Sequence, residues 1–296
     1  MSREATAEPR PLVIGVGAMG GRLAQRLAGS GLNVTVWNRN AERARRLEGS
    51  RLRPVRELSD ALPGASIVIT CLSDDAAVLE LWGEGALIEQ GLRPGSLVID
   101  STSTLPGTAQ GVASACRAAG LRFIDAPISG GPEAAEAGAL TFFCGGESAD
   151  VNDARVVLDR LGTTVAHVGG HGAGQMAKLI SQVMMAGTLL GVAEGLGLAA
   201  ASGVDADPLI EALGSGAAAS WVLEHRAPLM VSGEFPLAGA LALHLKDLDN
   251  VLHLAQALGL GLPGVELVRD LERRLEGAGY GAENVAAIAR AYLSYS

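Results

Sequence analysis

Seven short runs of apolar and β-branched residues lie between residues 11 and 170: LVIGVG, LNVTVWN, ASIVITCL, GSLVIDST, LRFIDAPIS, LTFFCGG and TTVAHVGG. Longer stretches of helical period separate them. Such alternation predicts a doubly wound α/β domain, a parallel sheet wrapped by helices. After Gly170 the pattern turns helical throughout, so residues 171–296 are expected to form a second, all-α domain for substrate and oligomer contacts. Its first helix, residues 173–201, is nearly apolar and long enough to raise the question of a membrane span. Gln182 and Glu194 argue against one, because a carboxylate near mid-membrane costs about 2.5–3.5 kcal/mol; a core helix buried on all sides is the reading preferred. Gly187, Gly191 and Gly195 recur every four residues on one face of it and predict a packing seam, between subunits of a homodimer or homotetramer. The first ten residues are polar and read as a flexible tail.

At 296 residues with 48% hydrophobic content, the chain has material for two cores. A net charge of −9 disfavours a nucleic-acid or anionic-membrane partner and leaves a small molecule as the expected one. Cys71, Cys116 and Cys144 are odd in number and lack metal-ligand spacing, so neither a disulfide framework nor a metal site is indicated, and cytoplasmic residence is expected. Of the 23 basic residues only Lys178 and Lys246 are lysines. An ammonium can be desolvated until it gives up its proton, which a guanidinium cannot, so this pair marks candidate acid–base chemistry.

Gly15, Gly17, Ala18, Met19 and Gly20 form a Gly-x-Gly-Ala-Met-Gly turn after the first strand and open a helix, which is the context of a Rossmann-type dinucleotide site. Gly15 and Gly17 would permit the tight turn and the approach of pyrophosphate, Gly20 the packing of helix on strand. The second strand ends at Asn38, Arg39 and Asn40, where an NAD-selective site would offer a carboxylate to the ribose. Arg39 instead suits a 2′-phosphate, so NADP(H) is expected in preference to NAD(H).

Four segments in order, the glycine turn at 15–20, DSTSTLP from Asp100, FIDAPISGG from Phe123 and GAGQMAK from Gly172, resemble the β-hydroxyacid dehydrogenases, and HLKDL from His244 is similar to that family's C-terminal lysine segment. The family includes 3-hydroxyisobutyrate dehydrogenase, tartronate semialdehyde reductase and glyoxylate/succinic semialdehyde reductases, and it shares the 6-phosphogluconate dehydrogenase-like architecture. The resemblance implies Lys178 as the catalytic lysine, Thr102, Ser103, Ser129, Gly130 and Gly131 as substrate-carboxylate segments with Thr102 also near the cofactor, and Lys246 as the lysine reaching the cofactor and active site from the helical domain. Hydride transfer to an aldehyde develops alkoxide charge, which an ammonium can stabilise and then protonate. Burial and neighbouring positive charge are expected to lower the pKa of Lys178.

Lys178, Ser181 and Gln182 share a helix face. Many relatives carry Asn at the last place, and Gln there, like His244, resembles the tartronate semialdehyde reductase branch. Ala240 and Ala242 stand where that branch often has arginine, and Thr102-Ser103 inverts the usual Ser-Thr order. A longer amide is expected to favour shorter or more hydroxylated acids over 3-hydroxyisobutyrate. The expected protein is an NADP(H)-dependent oxidoreductase of small carboxylate-bearing semialdehydes and hydroxy acids. An imine reductase-like enzyme or a non-catalytic nucleotide-binding scaffold are the alternatives, both disfavoured by Lys178. His167, His171 and His225 read as loop or helix-surface residues, Trp221 equally as pocket-lining or core, and Asp247 as orienting Lys246 or balancing its charge.

Overall fold

The computed structural model describes residues 9–47, 49–82, 91–237 and 239–295, so most of the expected N-terminal tail lies outside the described residues. The chain divides into two compact units, Met1–Lys178 and Leu179–Ser296. In the first, β1 (Pro11–Ile14), β2 (Val34–Trp37), β3 (Leu52–Pro54), β4 (Ile67–Thr70), β5 (Leu97–Asp100), β6 (Arg122–Asp125), β7 (Ile128–Ser129), β8 (Leu140–Gly146) and β9 (Gly162–Gly169) form one sheet. The strand order is β3-β2-β1-β4-β5-β6-β8-β7, with β9 on β8.

Period-two alternation sorts the strand side chains onto two faces. Val13, Ile69, Ile99 and Ile124 pack with Leu23, Ala24 and Leu27 of α1 (Ala18–Gly29) and with Val151 and Ala154 of α6 (Ser148–Leu158). Their neighbours Leu12, Ile14, Val68, Val98 and Phe123 pack on the other face with Val78 of α3 (Asp75–Trp82) and with Ala109 and Val112 of α4 (Pro106–Ala118). Two cores on one sheet are what makes the fold doubly wound.

Two features differ from the pattern read along the chain. The sheet is parallel from β3 through β6, but β8 runs antiparallel to both β6 and β7. A parallel partner needs a crossover of about a dozen residues or more, whereas β7 reaches β8 through the short helix α5 (Pro132–Ala137) and its flanking turns. In addition, Leu52-Arg53-Pro54 pairs with β2 as the edge strand β3; an edge tolerates both proline and exposed arginine, which hid it from an apolar pattern.

The second unit is built from helices. α7 (Ala173–Ser202) begins in the first unit and runs through the second, followed by α8 (Ala206–Gly214), α9 (Trp221–Ser232), α10 (Leu241–Ala257) and α11 (Pro263–Leu275). Ala186, Leu189, Ala193 and Leu196 form the buried stripe of α7, packed with Val222, Ala227, Met230, Leu248 and Val268. The expectation of a helix buried on all sides is corrected: Ile180, Met184 and Leu198 are 51%, 70% and 72% exposed on its opposite face. By length and composition α7 could cross a membrane. Two of its polar residues are held within the helical unit, Gln182 by Asp247 and Glu194 by the Tyr292 hydroxyl.

Trp221 belongs to no core. It is 54% exposed at the start of α9, stacked on His225 with the Arg226 guanidinium 4.5 Å from its ring centre. Ser220 caps that helix, accepting from the Leu223 N–H.

Candidate active site

Register places the last residues of four parallel strands side by side, Ile14 beside Thr70, Thr70 beside Asp100 and Asp100 beside Asp125. The chain order reverses between β1 and β4, so loops from these carboxyl ends flank the crevice where such sheets bind ligands. The glycine turn, the 101–104 segment and the 126–131 segment all leave the sheet at this edge.

Gly15 has φ +88° and donates to the Trp37 carbonyl at 3.0 Å, and a Cβ on it would strike the Cys71 carbonyl. A Cβ on Gly20 would overlap the Gly15 carbonyl. These two glycines therefore serve the turn and the close seat of α1. Gly17, the N-cap of α1, makes no side-chain cap, and beyond its chain neighbours no atom of the described residues lies within 4 Å of its Cβ position, leaving the helix N-terminus open to a phosphate. Ala18 is exposed at the mouth of the turn, and Met19 packs against the core beside it.

Asn38 and Asn40 are tied to the local backbone: Asn38 Oδ1 accepts from the Val16 N–H at 3.1 Å, its Nδ2 donates to the Asn40 carbonyl, and Asn40 caps α2 (Ala41–Arg45) by accepting from the Glu42 N–H. Arg39 points outward and pairs with Glu80 at 3.0 Å, both side chains well exposed. A cavity of about 470 Å³ beside the glycine turn is lined by Gly17, Arg22, Arg43 and Arg46 among others. Sequence reasoning missed these arginines, although Arg43 lies four residues after Arg39. An open helix N-terminus beside clustered guanidiniums fits a dinucleotide phosphate.

Asp100, fully buried, accepts from the Thr70 hydroxyl at 2.7 Å and the Thr102 N–H at 3.1 Å, and burial pushes its pKa up to about 6. The Thr102 hydroxyl is buried and accepts from the Leu72 N–H at 3.0 Å, so that side chain fixes its own loop; Ser103, next along, is half-buried. Ser129 ends β7, and Gly130 follows at φ +117°, where a Cβ would lie 2.9 Å from Leu140. Gly131 is the N-cap of α5 with no side-chain cap, and a Cβ there would lie 3.0 Å from a Glu133 carboxylate oxygen.

Asp125 closes the arrangement. Its carboxylate accepts from the Gly172 N–H at 2.8 Å and the Gln175 N–H at 3.0 Å, capping the first turn of α7. Burial raises its pKa, opposed by those two hydrogen bonds. Gln175, fully buried, donates to the Thr102 carbonyl at 2.7 Å and accepts from the Thr104 N–H at 3.0 Å. Lys178 stands half-buried three residues later on the same helix. Neither Asp125 nor Gln175 was singled out from the sequence, because their importance lies in partners 47 to 73 residues away.

In the helical unit the Gln182 amide donates to Asp247 Oδ2 at 2.6 Å, and Lys246 Nζ lies 3.2 Å from Asp247 Oδ1. Gln182 is thus tied to Lys246 through Asp247 by its amide nitrogen. His244 and Glu272, both buried, meet at 2.6 Å and join α10 to α11; burial raises the Glu272 pKa and His244 opposes the rise. His167 and His171 bond backbone carbonyls, and His225 stacks on Trp221. Among the described residues no group of three potential metal ligands occurs.

Residues 12–169 match the NAD binding domain of 6-phosphogluconate dehydrogenase, and residues 172–292 match the NAD-binding domain of NADP-dependent 3-hydroxyisobutyrate dehydrogenase. The chain belongs to the 3-hydroxyisobutyrate dehydrogenase-like family of β-hydroxyacid dehydrogenases. It is 34% identical to an uncharacterised oxidoreductase of Synechocystis over 95% of this chain and 97% of that one. With the NAD-dependent L-serine dehydrogenase of Pseudomonas aeruginosa it shares 29% identity over 94% and 96% of the two chains. The structure of Mycobacterium tuberculosis 3-hydroxyisobutyrate dehydrogenase with L-serine superposes with a TM-score of 0.86 at 25% identity, covering 97% of this chain and 100% of that one. As a 3-hydroxyisobutyrate dehydrogenase-like protein, the chain is an NAD(P)-binding oxidoreductase.

Proposed function

We propose that this chain is an NADP(H)-preferring reductase of small semialdehyde acids, of the tartronate, glyoxylate, succinic semialdehyde or 3-hydroxyisobutyrate type, reversible to hydroxy-acid oxidation. The observation that carries the reading is that the segment bearing Thr102 and Ser103 is hydrogen-bonded to the helical turn that leads to Lys178. When bound, the nicotinamide supplies the hydride. Lys178 donates its proton to the carbonyl oxygen as charge develops there, and takes it back in the oxidative direction. Ser103, the Ser129 hydroxyl and the amides of Gly130 and Gly131 hold the substrate carboxylate, the glycines leaving room for it. Lys246 adds fixed positive charge.

Support for NADP(H) is the arginine-lined cavity beside the glycine turn, with Arg39 in an exposed ion pair that a phosphate can replace at little cost. The free thiols Cys71, Cys116 and Cys144 suit a reducing, cytoplasmic setting. The exposed apolar face of α7, where outside the helix's own backbone no atom of the described residues lies within 4 Å of the Cβ positions of Gly187, Gly191 and Gly195, suits a second copy of the chain.

A second reading, a β-hydroxy amino acid substrate, is favoured by Glu133, whose carboxylate beside Gly131 suits an ammonium group. Steady-state assays of semialdehyde acids, 3-hydroxy acids and L-serine with both cofactors test the two. The first predicts the highest kcat/KM for a semialdehyde acid with NADPH. Preference for L-serine, lost in Glu133→Gln, would establish the second instead.

A further inference from the structure

Asp125 sits at the end of β6 with its carboxylate boxed between two glycines, since a Cβ on Gly145 or on Gly174 would come within 2.6 to 2.8 Å of its oxygens. Nothing larger than glycine fits at either place while Asp125 caps α7. That cap fixes where the helix starts and hence the angular position of every side chain in its first turns. Gln175 uses the position so fixed. Its backbone N–H belongs to the cap and its side-chain amide, fully buried, spends both ends on the backbone of residues 102 and 104.

The 101–104 segment needs such a partner. It has no regular structure of its own beyond the turn at Asp100, and the Asp100 Oδ2, Ser101 Oγ and Thr104 Oγ1 atoms are buried without a hydrogen-bond partner among the described residues. A segment that leaves two of its own side-chain oxygens, and one of the Asp100 carboxyl before it, without a partner among the described residues is held by its remaining bonds, and two of these end on Gln175.

Resting on the function proposed above, we infer that Gln175 is a positioning residue: its amide fastens the Thr102–Ser103 segment to the first turn of α7 and so fixes that segment in register with Lys178. It touches neither substrate nor cofactor in this role. A displacement of about 1 Å between carboxylate-holding and proton-donating groups costs about 100-fold in rate, which is the leverage such a residue has.

Gln175→Met keeps the volume and removes both hydrogen bonds. Gln175→Glu keeps an acceptor for the Thr104 N–H, but meets the Thr102 carbonyl with a donor only when protonated. The charged and titratable groups around position 175 are Asp125 on β6, Asp100 on β5, His171 ahead of the helix and Lys178 on it. Burial beside two carboxylates favours the protonated form of the new acid. Hydrogen exchange at the Thr104 amide, dinucleotide Kd by titration, and kcat and KM from pH 6 to 8 are measured on wild type and both variants.

In Gln175→Met the Thr104 amide should exchange about ten-fold faster or more while β4 amides stay protected, kcat should fall about 10- to 100-fold, and dinucleotide Kd should move less than about three-fold. In Gln175→Glu the Thr104 amide should stay protected, and the ratio of its kcat to that of wild type should climb as pH falls. Unchanged Thr104 exchange in Gln175→Met would show that the bond does not hold the segment. Faster exchange with unaltered kcat and KM would show that holding it does not matter for reaction. Should Gln175→Met not fold, the pH dependence of Gln175→Glu decides, a flat ratio overturning the inference. Failure of the functional reading is seen separately, as wild type inert toward the semialdehyde panel, and Thr104 exchange still reports on the fastening.

Discussion

Gln182 and Asp247 are joined by a 2.6 Å hydrogen bond inside the helical unit, and Asp247 also carries the ion pair with Lys246. The amide expected to gauge substrate length is thereby also linked to a cation. Gln182→Asn, one methylene shorter, should break the bond without leaving a charge unpaired. Its effect should reach the substrate through Lys246, raising KM several-fold for every acid alike. A changed order of substrate preference, measured as kcat/KM across the panel, would restore the size-gauge role.

The two lysines are expected to differ. Removing a general acid costs about 10²–10⁴-fold in rate, so Lys178→Arg and Lys178→Ala should both lose about that much kcat with little change in cofactor Kd. Lys246→Arg should keep most of kcat and show its loss in KM, because a permanent cation suffices beside Asp247. Near-normal kcat in Lys178→Arg would remove the acid–base role.

Cofactor choice is tested by charge reversal. Arg39→Asp and Arg43→Glu should each raise the Kd for NADPH by about ten-fold or more, with smaller effects on NADH, since a charge-assisted bond to a phosphate contributes about 1.5–3 kcal/mol. Glu80→Gln frees Arg39 from its partner and should tighten NADPH binding. Wild type that binds NADH as well as NADPH would set the 2′-phosphate site aside.

Sedimentation reports on the α7 face. Wild type should run as a dimer or larger at micromolar concentration, and Gly191→Leu, which adds bulk where, outside the helix's own backbone, no atom of the described residues lies within 4 Å, should shift it toward monomer. A wild-type monomer unaffected by the substitution would leave the exposed stripe without a partner copy.

Asp100 gives a pH signature in stability. Its folded pKa, raised by burial from 3.8 to about 6, favours the protonated carboxyl in the native state. The native state thus holds a proton that the unfolded chain releases, so the associated stability is complete below about pH 4 and is lost as pH rises through 6. The shift corresponds to about 3 kcal/mol. Denaturant melts at pH 4 and pH 7 should show wild type losing about that much relative to Asp100→Asn. Parallel curves for the two proteins would mean that Asp100 ionises normally in the fold.

The sheet and helix layout was largely legible because strand alternation and helical period are local properties, set by which side chains must leave water on each face. The glycine turn was legible for the same reason: Gly15 and Gly20 are demanded by a backbone geometry that a few adjacent residues define. What local pattern misjudged was direction and edge. β8 turned antiparallel because its connection is short, β3 formed from residues too polar to announce it, and α7 kept one apolar face exposed that its composition alone had suggested was buried.

By itself the sequence determined the two-domain plan, the dinucleotide turn, the family and the lysines to suspect, all carried by residue types at short spacing. Only the tertiary structure decided what those residues are attached to. Thr102 and Gln182 read as ligand contacts, and folding added the partners that the sequence did not show, Leu72 for the hydroxyl and Asp247 for the amide. Asp125 and Gln175 read as ordinary polar residues until the fold brought them to partners far along the chain. The physical reason is that a buried polar group must find a hydrogen-bond partner, and which partner it finds depends on packing that no local stretch of sequence encodes.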